Sequence, residues 1–195
     1  ITTQSIRGIQ KGSLDSYTLF IELGYNLLRK DGVMTMIVPI SLTSSDALSG
    51  VHRLFFENCD DIRFENMTLW NTYGKPGQAE VIYNNDNNGK YNISFVNCTL
   101  RSLQDTFNTK GYCWMYNCLI EGDCDFIWGS PKTCLFEKCE IRAAGDGYIV
   151  QARCMSADDK GFVFLDCDLT KNPDVTDGSM YLARSSGASE YYDNV

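Results

Sequence analysis

One six-residue line recurs five times along this chain, and it limits the possible folds more than any other feature. It first appears as Phe64-Glu65-Asn66-Met67-Thr68-Leu69, then as Phe95-Val96-Asn97-Cys98-Thr99-Leu100. It returns as Met115-Tyr116-Asn117-Cys118-Leu119-Ile120, as Phe136-Glu137-Lys138-Cys139-Glu140-Ile141 and as Phe164-Leu165-Asp166-Cys167-Asp168-Leu169. Large apolar residues hold the first and last positions, a sulfur residue holds the fourth, and Asn, Lys or Asp holds the third. The fourth positions, 67, 98, 118, 139 and 167, are 31, 20, 21 and 28 residues apart. Recurrence at such intervals is the mark of a solenoid, in which each repeat buries its apolar face only by stacking on the next. β-Branched and aromatic residues, with Gly and Asn at the breaks, favour a parallel β-helix over helical repeats. Residues two apart share a strand face, whereas the first and fourth positions do not. A bend or bulge must therefore fall inside the line. Cys98, Cys118, Cys139 and Cys167 are then expected to stack as an internal ladder.

Composition narrows the function classes. The chain has nine cysteines in 195 residues, none in a C-x-x-C pair, so a zinc site is not expected and the thiols are read as reduced and buried. A net charge of −8 opposes nucleic acid as a partner of this surface, because phosphate binding needs clustered Lys and Arg. No apolar run approaches the roughly 20 residues of a membrane helix.

Residues 1–61 have a different character and read as an α/β segment. Ser13 is placed to cap a helix over Leu14 to Leu28, with Leu14, Tyr17, Phe20, Ile21, Leu27 and Leu28 on its apolar face and Gly32 as a stop signal. Val33 to Val38 suggests a short buried strand ended by Pro39. Ser45 or Asp46 is placed to cap a second helix through Val51, Leu54 and Phe55. The solenoid is expected from about residue 62 to 195.

Within the solenoid, the stretch Gln104–Gly129 carries the candidate chemistry. Asp105 lies seven residues after Cys98, and Asp125 lies seven after Cys118. If both coils keep one register, the carboxylates sit on adjacent rungs, about 4.8 Å apart. Two carboxylates that close do not ionise independently, and the resulting asymmetry suits a nucleophile paired with an acid/base. Asp146 and Asp174 share the same offset from Cys139 and Cys167, but Gly145-Asp146-Gly147 and Pro173-Asp174 look like turns. Gln104 can donate hydrogen bonds beside the pair, and Phe126 and Trp128 offer rings for a sugar or for the core. Asn84-Asn85-Asp86-Asn87-Asn88-Gly89 reads as a turn between coils and lacks the spacing and glutamate of a calcium loop. Asn92-Ile93-Ser94 and Asn97-Cys98-Thr99 match glycosylation sequons.

At these residues the chain resembles the pectin methylesterase (pectinesterase) family. Gln104-Asp105-Thr106 matches the family's Q-D-T motif, and Gly122-Asp123-Cys124-Asp125-Phe126-Ile127-Trp128-Gly129 matches its G-x-V-D-F-I-F-G motif. Gly77-Gln78-Ala79 resembles the upstream G-Q-A segment, and Tyr181-Leu182-Ala183-Arg184 resembles Y-L-G-R. The resemblance implies a mainly β fold, a right-handed parallel β-helix of the pectin lyase-like kind. It also implies hydrolysis of galacturonate methyl esters. Asp125 would be the nucleophile, and Asp105 the general acid and then base. Gln78 and Gln104 would donate to the oxyanion, and Arg184 would hold Asp125 ionised. Trp128, with Phe126, would lie against the sugar. No metal or other cofactor is implied, methyl-esterified polygalacturonate is the partner, and a secreted or periplasmic monomer is expected. After Arg184 the family's Pro-Trp is replaced by Ser185-Ser186. The match covers the middle of the family, so an incomplete solenoid is expected.

The segment before it resembles another family. Gly12-Ser13-Leu14-Asp15-Ser16-Tyr17-Thr18-Leu19-Phe20-Ile21-Glu22 and Gly32-Val33-Met34-Thr35-Met36-Ile37-Val38-Pro39 are similar to the part of N6-adenine DNA methyltransferases of restriction-modification systems that follows their N-P-P-Y/F motif. That motif is absent here. A chimeric sequence joined near residue 62 is one expectation from this pairing. The alternatives to an esterase are a β-helix polysaccharide lyase or hydrolase, a non-catalytic pectin-binding solenoid, and a DNA adenine methyltransferase fragment.

Overall fold

A computed structural model describes residues 16–37, 51, 54–55, 58–74 and 77–195. The chain forms two compact units, Ile1–Asp60 and Asp61–Val195.

In the first unit, helix α1 spans Ser16–Leu27. Its buried side is narrower than the sequence suggests. Thr18, Ile21 and Glu22 face inward, while Phe20 and Leu27 stand in solvent. Ile21, Val51 and Leu54 form a small cluster, joined by the partly buried Tyr17, Tyr25, Met34, Met36 and Phe55. The expected strand at Val33–Val38 is corrected over its described part. Residues 32–37 form no strand ladder, and Val33 is 88% and Ile37 101% exposed. Their alternation instead points Met34 and Met36 at the cluster. Val51, Leu54, Phe55 and Asn58 are helical. The caps expected at Ser13, Ser45 and Asp46, and Pro39, lie outside the described residues.

The second unit is a parallel β-helix. Its strands, in chain order, are β1 Asp61–Glu65, β2 Thr68–Trp70, β3 Ile82–Asn84, β4 Asn92–Val96, β5 Thr99–Arg101, β6 Phe107–Tyr116, β7 Leu119–Gly122, β8 Ile127–Glu137, β9 Glu140–Ala143, β10 Gly147–Ala152, β11 Gly161–Leu165, β12 Asp168–Lys171 and β13 Met180–Arg184. Three faces result. One sheet runs β2-β5-β7-β9-β12. The other is folded lengthwise, because β6 bends where its register to β8 shifts between Gly111 and Tyr112. Its first half aligns β3, the starts of β6 and β8, then β10 and β13. Its second half aligns β1, β4, the ends of β6 and β8, then β11.

The six-residue line is the corner that joins two faces. Its first positions stack in register as Phe64, Phe95, Met115, Phe136 and Phe164. Its last positions stack as Leu69, Leu100, Ile120, Ile141 and Leu169. The bend required by the sequence is at the third position, where Asn66, Asn97, Asn117, Lys138 and Asp166 all have φ between 51 and 55°. One left-handed residue re-aims the chain so that both apolar ends of the line point inward. Asn and Asp enter that region more readily than other non-glycine residues.

Each thiol of the fourth position then reaches the carbonyl of a first-position residue one coil earlier, three of the four thiols being buried. Cys98 Sγ donates to Phe64 O at 3.6 Å, Cys118 Sγ to Phe95 O at 3.4 Å, Cys139 Sγ to Met115 O at 3.4 Å and Cys167 Sγ to Phe136 O at 3.3 Å. All nine cysteines are free. Phe64 stacks on Phe95 with centroids 5.0 Å apart, and Phe136 on Phe164 at 4.8 Å. Burying each such ring contributes about 1.5–3 kcal/mol. On the outside, Glu121 is held between Arg101 at 2.8 Å and Arg142 at 3.3 Å. The Asn84–Gly89 segment leaves β3 as a turn, and the buried Asp86 accepts the Tyr91 N–H at 3.1 Å. Asp146 and Asp174 lie in exposed turns.

Candidate active site

The loops that lead into β6 and β8 each end in an aspartate with a left-handed backbone, Asp105 at φ 60° and Asp125 at φ 46°. Gln104 bridges Cys124 in parallel, so the two loops run side by side. Asp105 N–H donates to Cys124 O at 3.0 Å and Phe107 N–H to Phe126 O at 2.8 Å, which sets Asp105 and Asp125 on neighbouring rungs. Both are only 4% exposed. A positive φ at a non-glycine residue is a strained choice, sustained here by the ladders on either side. It turns both carboxylates outward, while Thr106 and Phe126 follow them into the interior.

Around the pair lies a cleft of about 140 Å³ lined by Gln78, Gln104, Asp105, Asp125, Trp128, Gln151, Arg153 and Arg184. Six of these eight were legible as candidates in the sequence. Phe126 is the exception among the candidates. It is fully buried in the core with Phe107, Ile127 and Val150 and does not reach the cleft. The residue after a left-handed aspartate faces inward, so its ring packs rather than binds.

The two carboxylates have different surroundings. Asp125 receives Arg184 Nε at 2.8 Å, and Arg184 Nη2 closes a second bond to its other oxygen. This charge-assisted fork favours the ionised carboxylate, and it raises the Arg184 pKa. Among the described residues Asp105 has no such cation. Burial pushes its pKa from 3.8 up to about 6, with the charges of Glu80 and Asp125 adding to the rise. Hydrogen bonds from Gln78 and Gln104 pull it down only in part. One carboxylate is thus paired with a guanidinium, while the other is a buried group whose proton is held to about pH 6.

Gln151 and Arg153 were missed by sequence reasoning. Gln151 pairs in register with Trp128 on one side and Arg184 on the other. Arg153 donates to Gln151 Oε1 at 2.7 Å, and its guanidinium lies 5.1 Å from the Trp128 ring centre. The signal was hidden by uneven coils: Asn108 to Trp128 is 20 residues and Trp128 to Gln151 is 23. Among the described residues no cluster of His, Cys, Asp or Glu could hold a metal ion. No described helix is long and apolar enough to cross a membrane.

The pectinesterase family signature matches residues 30–186. The chain belongs to the pectinesterase family. The matched span begins at residue 30, ahead of the junction near 62 suggested by the sequence. The chain is 36% identical to Pectinesterase 31 of Arabidopsis thaliana over 131 residues, covering 66% of this chain and 39% of that protein. It is 34% identical over 129 residues to the probable pectinesterase A of Neosartorya fischeri, covering 64% of this chain and 38% of the relative. The chain thus spans well under half the length of these pectinesterases. The pectin methylesterase of Aspergillus niger in its deglycosylated form aligns with a TM-score of 0.54 at 28% identity, over 60% of this chain and 39% of that structure. A mutant pectin methylesterase in complex with a hexasaccharide aligns with a TM-score of 0.57 at 19% identity, over 63% of this chain and 43% of that one. These likenesses show the fold, the right-handed parallel β-helix of pectin methylesterases.

Proposed function

We propose that this pectinesterase-family chain hydrolyses methyl esters of homogalacturonan by a two-aspartate mechanism. The observation that supports it best is the pairing of Asp125, bound by Arg184, with an Asp105 whose proton is retained to about pH 6, in one cleft. An Asp125 oxygen attacks the ester carbonyl carbon, and the electron pair of the carbonyl moves to oxygen. Gln78 and Gln104 donate to that oxyanion. As the carbon–methoxy bond breaks, Asp105 gives its proton to the departing methanol, leaving an acyl–Asp125 intermediate. Asp105, now a carboxylate, takes a proton from water as the water attacks the same carbon. Asp125 leaves as the carboxylate, and galacturonate is released. Arg184 keeps Asp125 ionised between turnovers. Trp128, braced by Arg153, supplies a face for the sugar ring. On this reading the protein is a secreted or periplasmic monomer.

The test is methanol release from methyl-esterified homogalacturonan by the parent protein and by Asp125→Asn. The reading requires release by the parent and its loss in the variant. Release that survives the substitution overturns the mechanism. New reducing ends or unsaturated products without methanol would instead mark a depolymerase, and binding without turnover a pectin-binding solenoid. For residues 1–61, a methyltransferase origin predicts heat of S-adenosylmethionine binding in calorimetry.

A further inference from the structure

Arg184 reaches Asp125 from two rungs away. Its strand, β13, pairs with β10, and β10 pairs with β8, whose first residue, Ile127, follows Asp125 by two positions. At about 4.8 Å per rung, the Arg184 side chain must cross the β10 coil to make its fork. What it crosses is Tyr148. Val150 pairs with Ile127, so Tyr148, two residues before Val150, continues the level that Asp125 holds before Ile127. Gly147 fixes the same level, since a Cβ added there would run into Asp123 O and lie 3.3 Å from Cys124 Cα.

The Arg184 guanidinium lies over the Tyr148 ring, 5.1 Å from its centre, while Nε and Nη2 close the fork on Asp125. Tyr181 pairs with Tyr148 in register and stacks on the same ring, with centroids 5.5 Å apart and planes at 27°. Two tyrosines on successive coils thus form a bed behind the ion pair. We propose that Tyr148 is a positioning residue that acts through Arg184, its ring holding the guanidinium in the plane of the Asp125 carboxylate. The proposal rests on the esterase reading above and extends it to a residue outside the cleft lining.

The two partners of the fork differ in how firmly they are held. The Asp125 side chain is 6% exposed, whereas that of Arg184 is 41% exposed. A long, half-exposed side chain gives up rotamer freedom to form a fork, and water competes for its donors. A ring under the guanidinium attracts the cation through its face and leaves the edge donors free for the carboxylate. The ring face does this work, so phenylalanine should replace tyrosine and an aliphatic side chain should not.

Exchange of the Arg184 Nε–H with water, followed by nitrogen-15 NMR and assigned through Arg184→Lys, tests this without substrate. In Tyr148→Leu and Tyr148→Met the exchange should quicken about tenfold, and in Tyr148→Phe it should stay within twofold of the parent. For methanol release, kcat should fall about tenfold in the two aliphatic variants with KM within twofold, and phenylalanine should restore it. In an Arg184→Lys background Tyr148→Leu should cost little more, because the residue it acts through is already lost. Unmoved exchange in both aliphatic variants overturns the proposal, as does a phenylalanine variant as impaired as leucine. A rise in KM with exchange unmoved overturns it too, since the ring would then lie against the sugar. Failure of both aliphatic variants to fold also overturns it, because the ring would then be structural. An inactive parent whose exchange still quickens on substitution counts against the esterase reading while upholding the hold on Arg184.

Discussion

Two rows of left-handed residues climb this solenoid, one at the corner of the six-residue line and one beside the cleft. The corner row is Asn66, Asn97, Asn117, Lys138 and Asp166, all exposed, with φ of 51–55°. The cleft row is Asp105 and Asp125, at 60° and 46°, both 4% exposed. The backbone device is the same in each, a single residue that re-aims the chain between two strands. What differs is the surroundings of the side chain. In the corner row three residue types are accepted, because the side chain enters water and the bend is the only requirement. Asn97 and Asn117 each donate to the asparagine one coil earlier, at 3.1 and 2.8 Å, yet Lys138 fills the next place without an amide. In the cleft row the side chain is held among Gln78, Gln104, Arg184 and a second carboxylate, and its chemistry decides what the site can do. A turn that shapes the fold in one place presents two carboxylates to the cleft in another.

The sharpest way to break this comparison is to give the cleft row the residue that dominates the corner row. Asp125→Asn keeps a side chain suited to positive φ and removes the carboxylate proposed as nucleophile. Methanol release should fall by about 10³-fold or more, while the melting temperature moves by no more than about 4 °C. A large loss of stability would mean that the cleft row is structural like the corner. Arg184→Lys tests the same carboxylate from its partner. Lysine keeps the charge but cannot close two parallel bonds, and a fall in kcat/KM of roughly 10- to 100-fold is expected. A fall below threefold would show that the fork is dispensable.

A smaller effect separates the rows by pH. The Asp105 pKa is about 6 in the folded protein, against an ordinary value of 3.8, so the native state holds the proton more tightly. Its contribution to stability is complete below about pH 4 and is lost as the pH rises through about 6, an effect of order 2 kcal/mol. Urea unfolding at pH 4 and pH 7 should show that decline in the parent, and Asp105→Asn should flatten it. Asn117→Asp, which places a carboxylate in the exposed corner row, should leave the decline as it is. Equal slopes in the parent and Asp105→Asn would remove burial as the distinction between the rows.

The corner row explains why so much of this fold was legible in the sequence. Its residues recur with a sulfur neighbour and apolar ends, because every coil must make the same bend over the same core. The cleft row was legible in part, through Asp105 and Asp125 at one shared offset and the motifs around them. The offset itself was ambiguous: Asp146 and Asp174 share it and lie in exposed turns. Gln151 and Arg153 were hidden, since they enter the cleft through strand register, and coil lengths vary between the marker positions and the cleft. Phe126 was misread because its neighbour's left-handed backbone, invisible in sequence, reverses which side of the coil it faces. In the first unit, Val33 and Ile37 had the pattern of a strand, but an apolar run becomes a strand only when a partner edge is there to pair with it.

The smallest effect asks what asparagine contributes to the corner row. Asn117 offers a backbone that accepts φ of 51° and an amide that donates to Asn97 at 2.8 Å. Asn117→Ala removes both, and Asn117→Gly removes the amide while relaxing the backbone demand. A left-handed alanine costs about 1–2 kcal/mol, whereas an exposed side-chain hydrogen bond contributes little because water replaces it. Alanine should therefore lower stability by about 1 kcal/mol in urea unfolding, and glycine by less than half of that. Equal losses in the two variants would make the amide ladder the main contributor. Lys138 argues for the backbone instead, for it adopts φ of 53° with no amide to donate, and its ammonium lies 5.7 Å from the ring centre of Tyr116. On that reasoning Lys138→Asn should stabilise the corner, since asparagine enters the left-handed region at lower cost and can continue the ladder from Asn117.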